Sequence, residues 1–144
     1  MTPEALQGLT AEYMVAADLC KLGYVVMLAP SGSRYDLLVD VGSRLLRVQV
    51  KSTSHPRISA GGHVTPNYIF RLVKHPSKMI SQYEVDVVAL VAMDIGCIAY
   101  LPVSSCKQNN LKLKPPGSAI NSKSKKFYNI DQLPFSKLLE EMTI

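Results

Sequence analysis

The stretch SRYDLLVDVGSRLLRVQVKST, residues 33–53, decides the fold because it reads as one β-hairpin. Two short apolar-rich runs, Tyr35–Val41 and Leu45–Val50, have the length and composition of strands. Gly42-Ser43 separates them, and a glycine-containing pair is typical of a tight two-residue turn. The stretch therefore predicts two adjacent antiparallel strands joined by a short turn.

Three polar residues of this hairpin are predicted to converge. With a two-residue turn, Asp36 at the start of the first strand lies directly across from Gln49 on the second. Side chains two apart share a face of a strand, so Lys51 points the same way as Gln49. A carboxylate, an amide oxygen and an ammonium would then meet on one patch of sheet. Such a group can hold a divalent cation and a phosphate together.

This pattern resembles the core motif of the PD-(D/E)XK nucleases. Tyr35-Asp36 stands where that family has Pro-Asp, and Gln49-Val50-Lys51 stands where it has Glu-x-Lys. The likeness is strongest to the branch that carries Gln in the third position, which includes intron-encoded homing endonucleases and relatives of Holliday-junction resolvases. It extends from about Gly8 to Pro102.

The resemblance implies a Mg²⁺-dependent DNA endonuclease, in which Mn²⁺ can replace Mg²⁺. Asp36 would be the central metal ligand, with the Gln49 amide oxygen, the Val50 main-chain carbonyl and a helical carboxylate, Glu12, completing the protein's donors. Lys51 would lie beside the scissile phosphate and stabilise the charge of the transition state. Glu12, Asp36, Gln49 and Lys51 are therefore the predicted catalytic residues. One site per chain implies a homodimer or higher homo-oligomer if both strands are cut.

Each of these residues also has a purely structural explanation. Asp36 could form a surface ion pair with Arg34, and Glu12 could be a boundary residue paired with a nearby arginine. Gln49 is neutral, so the site has one negative charge fewer than a site with Glu. A catalytically inactive nucleic-acid-binding protein of the same fold is therefore the alternative function, and a scaffold domain with solubilising lysines is a second. Asp40 shares a strand face with Asp36 and competes with it for the metal role, but its place next to the turn favours capping of the turn.

The basic residues are concentrated in acid-free stretches. The net charge is +5, yet no Asp or Glu occurs between Val41 and Tyr83 or from Lys107 to Ile130. Such stretches favour contact with a polyanion, here DNA, although a merely solvated face is an equal alternative. The predicted DNA-binding residues are Ser52, Thr53, His55, Arg57, Arg71, Lys74, Lys123, Lys125 and Lys126.

The order of predicted elements indicates an α/β (α+β) class protein with a single domain and a mixed central sheet. A helix from Pro3 to Gly23 is predicted to bury the face formed by Leu6, Leu9, Tyr13, Ala16, Ala17 and Cys20. Strands are predicted at 24–28, 35–41, 45–50, 67–73, 86–93 and 97–103, a short helix at 75–83 and a terminal helix at 131–142 capped by Asp131. The resemblance implies a restriction-endonuclease-like αβββαβ core. Residues 1–103 would form this nuclease-like core, and 104–144 a basic irregular segment and C-terminal helix packed on the same domain.

Composition excludes several classes of protein. The chain is 47% hydrophobic and 19% charged, which is typical of a folded globule. Three cysteines without a CxxC pair predict reduced, mostly buried thiols in the cytoplasm. The start of the chain has no signal-peptide pattern, and the longest apolar run, Val87–Met93, is too short for a membrane helix.

Overall fold

The computed structural model describes residues 1–58, 65–73, 79–119 and 128–142. Its helices and strands are α1 (Pro3–Lys21), β1 (Val25–Leu28), β2 (Leu37–Asp40), β3 (Leu45–Thr53), β4 (Tyr68–Arg71), β5 (Val87–Ala92), β6 (Cys97–Pro102), β7 (Asn110–Leu113) and α2 (Phe135–Glu141). Short 3-10 turns lie at Val103–Ser105 and Ile130–Gln132. Within these ranges, no helix is both long and apolar enough to cross a membrane.

The central sheet is mixed, as predicted. Its strand order is β1-β2-β3-β5-β6, and every neighbouring pair is antiparallel except β3 and β5, which are parallel. All six residues of β5 are buried because both faces of the sheet are covered there. The helices α1 and α2 cover one face, and a separate two-stranded antiparallel ribbon of β4 and β7 packs over the other. The α/β (α+β) class with a restriction-endonuclease-like core is confirmed.

The hairpin has the predicted register. Leu37 pairs with Val48 and Asp40 with Leu45, and Val41 N–H donates to the Arg44 carbonyl at 3.1 Å, which closes a two-residue turn. Gly42 has φ +93°, a conformation that favours glycine. Asp40 Oδ1 accepts from Gly42 N–H at 2.8 Å, so Asp40 caps the turn as predicted.

Helix α1 has the predicted ends but not the predicted buried face. The Thr2 hydroxyl caps it by accepting from Ala5 N–H at 3.1 Å. The side chains buried against the sheet are Ala11, Val15 and Leu19. Leu6 and Tyr13, predicted as buried, are more than half exposed, and Ala17 and Cys20 are exposed. Of the three cysteines only Cys106 is buried, so the prediction of mostly buried thiols is wrong. Apolar residues occur around the whole helix, so periodicity alone permits more than one phase.

Three other predicted elements differ from the structure. The basic segment that begins at residue 104 is predicted to be irregular up to the C-terminal helix, yet it contains β7. The alternating Asn-Leu-Lys-Leu sequence of β7 pairs with β4. The terminal helix begins at Phe135 and not at Asp131, because Pro134 disfavours helical conformation at the residue before it. The predicted helix at 75–83 lies partly outside the described residues, and the described part, 79–83, is not helical.

An ion pair joins the hairpin to β5. Arg47 of β3 donates to Asp86 from its main-chain N–H at 2.8 Å and from its guanidinium Nε and Nη2, each at 3.0 Å. Arg44 adds a contact to the same carboxylate at 3.1 Å. Burial alone would raise the pKa of Asp86, but the Arg47 hydrogen bonds and charge outweigh it and lower that pKa. Arg47 is therefore a structural residue, although the sequence placed it among the basic residues of an acid-free stretch.

We expect Asp86→Asn to lower the free energy of unfolding by about 2–3 kcal/mol, because it leaves the guanidinium without a matching charge. Asp131→Asn, the same change at an exposed position, is the control. Urea unfolding at pH 7 measures both. Since the folded-state pKa of Asp86 is lowered, the wild-type advantage is complete above about pH 4 and shrinks as the pH falls through that lower pKa. If the wild type and Asp86→Asn differed in free energy of unfolding as much at low pH as at pH 7, the ion pair would not be the source of the difference.

Candidate active site

Asp36, Gln49 and Lys51 line one open cleft with a volume of about 490 Å³. Gln49 and Lys51 reach it from the same face of β3, as their spacing predicts. The other wall is formed by the segment that precedes β5 and by Leu72, the residue that follows β4. The structure therefore brings the three predicted polar residues of the hairpin together.

Asp36 lies one residue before the paired part of β2. Its N–H donates to the Val48 carbonyl at 2.8 Å, and its Oδ2 accepts from Val50 N–H, also at 2.8 Å. The Asp36 carboxylate thus extends along β3 beyond Gln49 to Val50. Asp36 and Gln49, the predicted facing pair, lie one position beyond the first paired residues of β2 and β3, Leu37 and Val48. Because the carboxylate satisfies a main-chain donor, its position is well defined. Within the described residues, no ion pair joins it to Arg34, so the surface-pair explanation of Asp36 has no support.

Glu12 reaches the site from α1 through Asp36. It is half-buried and does not itself line the cleft. Burial, a hydrogen bond with Asp36 and the Asp36 charge, in that order, raise the pKa of Glu12 to about 7. The partner of Glu12 is therefore a second carboxylate, Asp36, and not the arginine that the structural explanation of Glu12 predicted.

Two adjacent carboxylates beside an amide oxygen fit a divalent cation. Mg²⁺ prefers hard oxygen ligands and commonly takes one or two carboxylates, with water and substrate phosphate supplying the rest. Among the described residues, no cluster of three or more His, Cys, Asp or Glu residues that could hold a metal occurs, so the acid count stays at two. The Val50 N–H is used by Asp36, and a ligand role for the Val50 carbonyl stays a prediction.

The predicted DNA-binding residues divide into three groups. Thr53 is buried, and the Ser52 hydroxyl accepts a bond from Gln7 Nε2 at 3.2 Å on the α1 side, so neither side chain is presented to the cleft. His55, Arg57 and Arg71 are exposed. The last group, Lys74, Lys123, Lys125 and Lys126, lies outside the described residues.

Two charged cleft residues were missed by the sequence reasoning. Arg34 and Glu84 both line the cleft. Glu84 is the first acid after the acid-free stretch that ends at Tyr83, and this position was the only signal for it. Arg34 lies two residues before Asp36 and had been considered solely as an ion-pair partner. The cleft is therefore lined by one more basic and one more acidic side chain besides the three predicted residues.

Glu12 makes stability depend on pH, because burial and the contact with Asp36 raise its pKa. Glu12 binds its proton more tightly in the folded state, so between about pH 4.5 and 7 folding takes up protons and the free energy of unfolding falls as pH rises. We expect Glu12→Gln to flatten this dependence, whereas Glu4→Gln in the exposed first turn of α1 leaves it unchanged. Urea unfolding in EDTA at pH 5 and 7.5 tests this. If the free energy of unfolding changed equally between the two pH values in all three proteins, folding would not raise the pKa of Glu12.

Comparisons with known proteins show the fold and the family of the chain. A structure titled as a bacterial homing endonuclease, I-Ssp6803I, superposes with a TM-score of 0.64, covers 84% of this chain and 82% of its own, and is 23% identical. That similarity establishes a common fold. No curated protein matches the chain. The family model described as PD-(D/E)XK endonuclease matches residues 4–133, which include all four predicted catalytic residues. The chain belongs to the PD-(D/E)XK endonuclease family.

Proposed function

We propose that this chain is a Mg²⁺-dependent endonuclease that hydrolyses phosphodiester bonds in DNA. The observation that carries the proposal is the convergence of Asp36, Gln49 and Lys51 on one cleft, with Glu12 in contact with Asp36. Membership of a nuclease family supports the reaction class. The choice of metal, the DNA substrate and the residue roles are the parts that experiment must test.

The side chains have distinct roles in this proposal. The Glu12 and Asp36 carboxylates and the Gln49 amide oxygen hold the cation, and Val50 N–H keeps Asp36 in place. When bound, a divalent cation supplies an activated water and neutralises charge on the phosphate. Lys51 lies in the same cleft and stabilises the negative charge that develops on the phosphate oxygens. The open cleft admits a phosphodiester from solvent.

Gln49 determines how strongly the cation is held. Its amide oxygen is a neutral ligand, so the negative charge among the proposed ligands comes from the Asp36 and Glu12 carboxylates. Glu12, whose pKa is raised to about 7, must give up its proton to take part. We therefore propose Glu12 as a required ligand, since the third motif position does not supply a charge. The rival, an inactive DNA-binding protein, follows from the same neutral residue. It would bind DNA equally well with EDTA.

Nicking of supercoiled plasmid tests the proposal. In Mg²⁺ or Mn²⁺, we expect the wild type to nick and Asp36→Ala and Lys51→Ala each to lose about 100-fold or more of that activity. The first variant lacks a ligand of the cation, and the second lacks the positive charge beside the phosphate. Glu12→Gln should lose activity similarly. Asp40→Asn, on the same hairpin but directed to the turn, is the matched control and should retain it.

Two further measurements make the result decisive. DNA binding at low salt should persist in the Asp36 and Lys51 variants, which separates lost chemistry from lost folding. Cleavage that survives both substitutions would refute this site. If junction and long-duplex substrates also remain intact with every metal, while DNA is bound in EDTA, the chain is the inactive binder.

The substrate is proposed as either a homing-type duplex site or a junction. The structural neighbour is titled a homing endonuclease, which supports the first of these. One copy supplies one cleft, so cutting both strands of a duplex requires two copies. We expect light scattering to give a mass of at least twice the 15.8 kDa of one chain. A monomer at cleavage concentrations would restrict the activity to nicking.

A further inference from the structure

The ribbon of β4 and β7 has one buried face and one exposed face. The inward side chains are fully or nearly fully buried: Tyr68, Phe70, Leu111 and Leu113. They pack against Val88 and Leu90 of β5, so the ribbon is anchored on the same face of the sheet that carries Gln49 and Lys51. The ribbon is thus a rigid element beside the cleft, not a loop.

The exposed face presents two cross-strand pairs. Ile69 lies opposite Lys112, and Arg71 lies opposite Asn110. Side chains directly across an antiparallel pair lie about 5 Å apart, so four different chemical groups share one small surface. Arg71, Asn110 and Lys112 are exposed and Ile69 is half-buried. None of these four residues has a role in the ribbon's own packing core.

The end of the ribbon adjoins the cleft. Leu72 follows Arg71 directly, and it lines the cleft together with Asp36 and Lys51. Its N–H donates to the Asn109 carbonyl at 2.8 Å, which holds the two ribbon strands together at that point. The Arg71–Asn110 pair is therefore the ribbon's pair closest to the cleft. A duplex with one phosphate in the cleft would place its neighbouring base pairs near this surface.

We propose that the exposed face of this ribbon enters the major groove of duplex DNA and that Arg71 and Asn110 determine which base pairs beside the cut are preferred. The inference rests on the proposed nuclease function and adds the form and sequence-dependence of its substrate. A two-stranded ribbon fits the major groove, where arginine makes paired hydrogen bonds to guanine and asparagine to adenine. Lys112 contacts the phosphate backbone, and Ile69 supplies an apolar contact to a thymine methyl group.

The composition of this face favours base contacts over phosphate contacts alone. A surface that only follows the backbone needs positive charge, whereas this one combines a guanidinium, an amide, an ammonium and an alkyl group. Arg71 is also oriented: its Nε donates to the Val73 carbonyl at 3.0 Å, which restrains the guanidinium. A restrained guanidinium loses less entropy on binding and can present its two Nη groups as a pair.

Cleavage of a randomised duplex library in Mg²⁺, with the cut ends sequenced, tests the proposal. We expect the wild type to prefer guanine at one position near the cut and Arg71→Ala to lose that preference by about tenfold or more. Arg71→Gln should change the preference at the same position from guanine to adenine, a gain that misfolding cannot produce. Asn110→Ala should relax a neighbouring position.

Two variants serve as controls. Lys112→Ala should weaken binding to all sequences alike and reduce the dependence of binding on salt, with no change in preference. Lys21→Ala also removes one positive charge, but at the last turn of α1, on the opposite face of the sheet. It should change neither the affinity for DNA nor the dependence of binding on salt. Thermal unfolding of each variant verifies that the ribbon remains folded.

The outcomes separate this proposal from the proposed function. If the wild type cuts without sequence preference, or if Arg71→Ala weakens all sequences equally, base reading by the ribbon is wrong while the nuclease stands. If the wild type leaves the duplex library intact but cuts a junction, the ribbon proposal is wrong and the nuclease stands. If it neither binds nor cuts the library, a long duplex or a junction, both are wrong. If Arg71→Gln changes the preferred base at one position only, the result supports base reading by the ribbon in the major groove.

Discussion

Arg47 binds Asp86 through its main chain and its side chain at once, and much of the structure depends on that contact. It joins the hairpin to the start of the strand that is buried on both faces, next to the point where parallel pairing begins. The same guanidinium donates to the Tyr83 carbonyl at 2.6 Å, within the segment that forms the far wall of the cleft. One side chain therefore sets the distance between Gln49, two residues further along β3, and the opposite wall.

The charge distribution of the site follows from that arrangement. Asp36 is fixed by a main-chain donor and lies against Glu12, whose pKa is raised by burial and by this contact. Lys51 and Arg34 bring positive charge to the same cleft, which Glu84 also lines. Acidic and basic side chains therefore lie together on one cleft. Asp36, Gln49 and Lys51 come from one hairpin, so the hairpin supplies most of the groups that the proposed hydrolysis uses.

The features that the sequence could predict are local ones. The turn at Gly42 determines the register, and the register brings Asp36, Gln49 and Lys51 together, so the site's core followed from neighbouring residues alone. The failures involve contacts between distant segments. The buried face of α1 was misassigned because its apolar residues surround the helix, and only the sheet beneath selects Ala11, Val15 and Leu19. β7 was missed because a four-residue strand is stabilised by its partner, β4, and not by its own composition. The Glu12 partner and the structural role of Arg47 likewise depend on tertiary contacts.

The parallel pairing of β3 with β5 has a kinetic consequence. The hairpin's contacts are close in sequence, so they can form early, whereas β3 meets β5 only after a long loop has been closed. The cleft has its second wall only once that loop is closed. During folding, the polar cluster on the hairpin therefore exists before the enclosure that would hold a substrate does. A newly made chain would therefore assemble the polar cluster of the hairpin first and the complete substrate-binding cleft last.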